Sequence, residues 1–139
     1  MTTKTLDLSF IRHLNLFEKI TRVRASHCFT FNNILFFVVP ANLVYKAIGE
    51  KGNNVRRLAE LINKKVKILA SPDKPEDTEK FIKDIIAPIE PKNIEITEKE
   101  IIINAAKINK AGLIGRDKTK LKELGRIVND YFGKELRIQ

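Results

Sequence analysis

The chain has 139 residues, 43% of them hydrophobic, which supports a packed core and excludes a disordered tail. Its 26 lysines and arginines against 17 acids give a formal charge of +9, favouring an anionic partner such as nucleic acid. One cysteine, Cys28, excludes an intramolecular disulfide and a cysteine-cluster zinc site.

The opening "MTTKTLDLSFIRHL" lacks the apolar core of a leader, and the most apolar run, "ILFFVVP" from Ile34, is too short to span a bilayer. The expectation is a soluble, cytoplasmic protein with no membrane association, and a monomer. In chain order, "LSFIRHLNLFEKIT" sets Ile11, Leu14, Phe17 and Ile20 on one helical face. "RVRASHCFTF" alternates and reads as a strand; Asn32 and Asn33 make a turn, and Ile34 to Val39 form a second, more buried strand. Pro40 stops it, Ala41 to Ile48 read as a short helix, Asn53 to Asn63 as a second helix, and "KKVKILA" as a strand. "SPDKPED", from Ser71 to Asp77, is a linker. The order then repeats: helix in "TEKFIKDIIAPI", strands in "NIEIT" and "EIIINA", a short helix from Lys107 to Ile114, "GRDK", a helix from Thr119 to Phe132, and the strand "KELRIQ". Phe29, Phe31, Phe36 and Phe37 belong for the most part to the core rather than to a stacking platform.

A shift of 66 residues lays Ile48-Gly49 on Ile114-Gly115 and matches Val55, Leu58, Leu61 and Ile62 with Leu121, Leu124, Ile127 and Val128. "KKVKI" then meets "KELRI" only after four more residues, about one helical turn. The chain therefore reads as two copies of one α-β-β-α-α-β unit, residues 1–70 and 71–139, of α+β class with a three-stranded sheet in each. Each copy has a basic block: residues 1–70 hold twelve bases against four acids and residues 101–139 nine against four, flanking an acidic stretch.

"AIGEKGNNVRRLAELI" interrupts one helical pattern with Gly49-Glu50-Lys51-Gly52. Gly49 suits a helix end that other residues resist, and Gly52 allows close approach to the main chain. Asn53, and Thr119 in the second copy, are expected N-caps. Free N–H groups and the positive end of the helix dipole then suit a phosphate, with Lys51, Arg56 and Arg57 adding charge.

A G-x-x-G loop between short helices, flanked by strands and repeated, resembles the KH domain with a leading helix (type II), which clamps unpaired nucleotides. "HLNLFEKIT", "RVRASHC", "FFVVPANLVYKAIGEKGNNVRRLAELINKKVKIL" and "PEDTEKFIKDIIAPIE" together resemble the tandem-KH transcription factor NusA in its short archaeal form, over nearly the whole chain. The resemblance implies a single-stranded RNA-binding factor of transcription elongation or termination, acting near RNA polymerase; with no repeated carboxylate pair, triad or nucleotide fingerprint in the residues, neither an enzyme nor a cofactor is expected. It places the RNA clamp on Gly49, Glu50, Lys51 and Gly52, and in the KH picture bases rest on Ile48 and Val44; Asn53 at the helix start and the cations Arg56, Arg57 and Lys65 complete the candidate site. Glu50 departs from the family's basic or small residues and opposes tight binding. In the second copy the loop is Gly115, Arg116, Asp117, Lys118, followed by Lys120; lysine replaces the second glycine, and weak binding or a structural role both stay open.

Two other functions compete: a duplex-DNA binder of helix-turn-helix kind, against which the flanking strands argue, and an adaptor for RNA polymerase or ribosome assembly. His13, His27 and Cys28 do not form a spaced ligand set, and Asp73, Glu76, Asp77 and Glu79 fit a solvated linker and helix start rather than acid–base chemistry.

Overall fold

The computed structural model describes residues 8–139; residues 1–7, where the stretch read for a leader begins, lie outside it. Contacts divide the chain into two compact units between Asp73 and Lys74, inside the Ser71-to-Asp77 segment.

The first unit opens with α1 (Leu8–Thr21), whose Phe17 is fully buried. The buried Thr21 ends the helix: its hydroxyl donates to the Phe17 carbonyl (2.8 Å) and accepts from the Val23 N–H (3.1 Å). Arg22 turns left-handed (φ 63°) and donates to the Glu18 carbonyl at 2.8 Å. This closing turn is why the strand expected from Arg22 begins only at His27: β1 is His27–Phe31. Asn32 and Asn33, at φ 53° and 64°, form the tight turn into β2 (Ile34–Val39), as side chains tolerant of left-handed backbone allow.

Five consecutive residues of β2, Leu35 to Val39, are buried, because this strand is central and covered on both faces. It pairs antiparallel with β1 (Thr30 opposite Leu35) and parallel with β3 (Lys65–Ala70; Leu35 opposite Val66). The parallel pairing needs a crossover, supplied by α2 (Val44–Ile48) and α3 (Asn53–Ile62). The helix expected over Ala41 to Ile48 is divided: Ala41–Leu43 form a single 3-10 turn before α2. Phe17, Leu35, Phe37, Val39, Ala47, Leu58 and Val66 make the core, with the Phe17 and Phe37 rings stacked 4.3 Å apart.

The second unit repeats the order with α4 (Asp77–Ile86), β4 (Asn93–Ile96), β5 (Glu100–Asn104), α5 (Lys107–Ile114), α6 (Thr119–Phe132) and β6 (Glu135–Ile138). Its sheet copies the first: central β5, with Ile101, Ile102 and Ile103 buried, lies antiparallel to β4 and parallel to β6. The four-residue offset read from sequence is an added turn of helix, α6 having 14 residues where α3 has 10. Tyr131 and Phe132 in that turn meet Phe81 of α4 at centroid distances of 5.0 and 5.7 Å.

Truncation of a fully buried ring leaves a cavity as well as losing its transfer energy. Phe37→Ala is therefore expected to cost about 3–5 kcal/mol in urea unfolding followed by circular dichroism. A cost below about 1 kcal/mol would place the ring outside the core that the rest of the unit needs.

Candidate nucleic-acid interface

The interface is built on one backbone turn. α2 ends at Gly49, whose N–H donates to the Tyr45 carbonyl at 3.0 Å and whose φ and ψ are 83° and 165°. That region is essentially closed to any residue with a Cβ. A Cβ there would also stand 2.8 Å from Cγ of Asn54, so the Asn54 side chain occupies the space that glycine leaves. Glu50 follows without a positive φ, then two left-handed residues, Lys51 (φ 54°, ψ 27°) and Gly52 (φ 74°, ψ 18°), and then α3.

The second unit follows the same path. Gly115 has φ 76° and ψ 173°, Asp117 φ 56° and ψ 28°, and Lys118 φ 61° and ψ 24°. Lys120 stands where Asn54 stands, its Cγ 2.9 Å from a Cβ built on Gly115. The two glycines of the first loop thus differ in kind. The first holds a conformation that demands glycine, and it is glycine in both units. The second is merely left-handed, which lysine adopts at a cost of about 1–2 kcal/mol. The loss of glycine at Lys118 leaves the turn in place.

Several expectations about this turn need correction. Asn53 and Thr119 are not N-caps: each already has right-handed helical backbone, and the capping positions belong to Gly52 and Lys118. Two of the N–H groups at this helix start are taken within the loop, since Gly52 donates to the Gly49 carbonyl (3.0 Å) and Asn53 to that of Glu50. Lys118 and Thr119 do the same to Gly115 and Arg116. In both units these hydrogen bonds close the turn on itself.

Side chains around the first loop sort into braces and free charge. Arg56 folds back, donating from Nη1 to the Lys51 carbonyl (2.7 Å) and from Nη2 to Oδ1 of Asn53. It holds the loop and is only secondarily a cation for a ligand. Asn54 Nδ2 reaches the Lys46 carbonyl at 3.5 Å, tying α3 to α2. Glu50, Lys51 and Arg57 are exposed, and Ile48 is half-buried next to the turn. Val44 packs against the core, leaving less of it for a base than expected. Lys65 opens β3, beyond the far end of α3, about 15 Å along that helix from the loop. It is not brought together with Lys51. In the second loop Arg116, Asp117 and Lys118 are exposed, Lys120 is half-buried over Gly115, and the Thr119 hydroxyl donates to the Arg116 carbonyl at 2.8 Å.

Tyr45, absent from the candidates read in the sequence, is 89% exposed one turn before Gly49. The signal available was its place on the polar side of a short apolar helix, four residues ahead of the glycine. Elsewhere, His27 is exposed on β1 while the neighbouring Cys28 is half-buried against the core. Burial pushes the Cys28 thiol up to about 12, only partly countered by the charge of Lys64. Among the described residues no cluster of three His, Cys, Asp or Glu side chains is placed to hold a metal ion, and no helix is long and apolar enough to cross a membrane.

No family model matches the chain. It is similar to a protein of Halococcus morrhuae described as a probable transcription termination protein NusA, with 28% identity over 131 residues covering 92% of each chain. Two proteins described in the same words are similar over a shorter stretch. That of Methanocaldococcus jannaschii is 38% identical over 90 residues, and that of Methanococcus vannielii 33% over 85. Here the match covers 65% and 61% of this chain but only 48% and 47% of theirs, about half the length of those relatives. Among solved structures, that of APE1850 superposes with a TM-score of 0.67 over 96% of this chain and all of its own, at 23% identity. The chain is therefore a distant homologue of NusA-like proteins, and it shares its fold with APE1850.

Two outcomes follow from the turn and from the thiol. Gly49→Ala should destabilise the first unit by about 2–3 kcal/mol, against about 1 kcal/mol for Gly52→Ala, in chemical denaturation. Equal costs would remove the distinction between the two glycines. The folded Cys28 thiol should react with a disulfide reagent at pH 8 at least about a hundredfold more slowly than the urea-unfolded chain, and speed up with rising pH because its thiolate is scarce below pH 12.

Proposed function

We propose that this chain is a single-stranded RNA-binding factor of transcription elongation or termination, built of two tandem type II KH domains, that grips RNA backbone with its Gly49–Gly52 loop. The observation that carries the reading is the turn itself: glycine-only backbone, two left-handed residues and the start of a helix, in the same sequence of conformations at both Gly49–Gly52 and Gly115–Lys118. Each unit's α-β-β-α-α-β order and mixed three-stranded sheet agree with that domain type. They speak against a helix-turn-helix, because the helix pair here is a crossover within a sheet and α2 has only five residues.

The action is non-covalent and needs no cofactor. A backbone phosphate sits at the preformed turn, drawn by exposed Lys51, by Arg57 one turn into α3, and by the positive end of the α3 dipole. Half-buried Ile48 offers an apolar surface to a base. Glu50 lowers the affinity, which suits a contact that must let RNA move. The second loop adds a weaker contact through Arg116 and Lys118. The relatives described as transcription termination proteins supply the process, and RNA polymerase is the protein partner this implies.

Fluorescence anisotropy with single-stranded RNA, single-stranded DNA and duplex DNA across a salt series tests this. The wild type should prefer single-stranded RNA, and Lys51→Asp should weaken binding tenfold or more and shallow the salt slope by about one. Lys118→Asp should have a smaller effect. Preference for duplex DNA would favour the helix-turn-helix reading. Absence of binding to any of the three would leave an adaptor of the transcription machinery.

A further inference from the structure

An isolated exposed hydrophobic residue needs no explanation, and Leu61 and Ile108 get none. Tyr45 differs in where it stands. Its carbonyl accepts the Gly49 N–H, so the ring springs from the helical turn that leads into the loop. Residues three and four apart share one side of a helix, which makes Ile48 and Gly49 its neighbours on that side. The adjoining Lys46 is exposed and basic. An 89% exposed phenol one helical turn ahead of this loop has an open ring and few rotamers to lose.

The second unit gives the contrast. The 66-residue offset puts Ala111 where Tyr45 stands, so the two loops share a backbone but only the first has an aromatic ring beside it. The ring is not required by the turn, since the same turn forms without it.

We propose that Tyr45 is a base-stacking residue: an unpaired nucleobase next to the phosphate held at Gly49–Gly52 lies on its ring. This rests on the RNA-binding reading above. It also explains why that reading calls for a single strand, because paired bases in a duplex have no free face to offer. Stacking is tolerant of base identity, so Tyr45 contributes affinity and strand type rather than sequence.

The chain has two tyrosines and no tryptophan, so Tyr131→Phe leaves Tyr45 as the sole strong intrinsic fluorophore. In this background, octauridylate and octaadenylate should quench the tyrosine emission, and an abasic ribose-phosphate oligomer should not. In anisotropy, Tyr45→Ala should weaken binding of both oligonucleotides by about 5- to 100-fold. Tyr45→Phe should stay within about twofold of the wild type, since the ring and not the hydroxyl does the stacking. Tyr45→Ala binding as tightly as the wild type, with Lys51→Asp still defective, would overturn the stacking role and leave the clamp standing. Quenching by the abasic oligomer equal to that by octauridylate would overturn it too. Failure of the wild type to bind either oligonucleotide would overturn both this role and the RNA-binding reading.

Discussion

The candidate interface depends on a single backbone constraint, the conformation of Gly49 and its counterpart Gly115. With φ near 80° and ψ near 170°, each ends a helix and redirects the chain in a way no residue with a Cβ tolerates. The vacated space does not stay empty. Asn54 in one unit and Lys120 in the other lie across it, so the start of the next helix packs directly on the glycine. The two helices of each unit thus meet closely at the glycine. The loop's other candidate features, the exposed Lys51 and the start of α3, follow directly from this turn in the chain.

Much of this was legible in the sequence, for reasons that can be named. Leu8–Thr21 and Thr119–Phe132 follow from helical spacing of apolar residues, and Asn32-Asn33 between two strands has few conformations other than the tight turn it adopts. The 66-residue repeat fixed the second unit from the first, including the added turn of α6, because an insertion of one helical turn keeps the apolar face in register. Residues 22–26 were not legible as a turn, since their alternation imitates a strand. What overrides it is the Thr21 hydroxyl, buried and doubly bonded, a contact invisible to periodicity. The capping of α3 misled for a similar reason. Asn53 is a favoured cap by type, but the left-handed Gly52 before it had already taken that position. Arg56 read as a free cation and is a brace, because its reach back to Lys51 and Asn53 depends on the turn's shape.

The self-closure of the turn changes how its chemistry should be understood. A loop whose first N–H groups were unpaired would gain hydrogen bonds on meeting a phosphate, and would order itself in doing so. Here Gly52 and Asn53 are already bonded inside the loop. On the proposed reading, a phosphate would meet a turn already closed by these bonds, which would lower the ordering cost of binding. On that reading, charge and the summed field of α3 would supply attraction that the N–H groups of Gly52 and Asn53, already bonded, would not.

Charge placement then separates two loops that share one backbone. The first carries Glu50 in the opening 3-10 position and Lys51 in the left-handed one; the second reverses the signs, with Arg116 and Asp117, and adds Lys118 in the second left-handed position. Counted as composition, the second loop is the more basic and would pass for the better anion site. Counted by position, the cation at the first left-handed residue has become an acid, and the basic groups stand on either side of it. Two charges a few ångströms apart on a rigid turn are within one Debye length of any phosphate there, so each contributes with its own sign. The first loop has one well-placed cation beside an aromatic ring; the second has more charge arranged around an acid and no ring. The two copies thus differ in the side chains around the turn, while the glycine conformation at its start is the same in both.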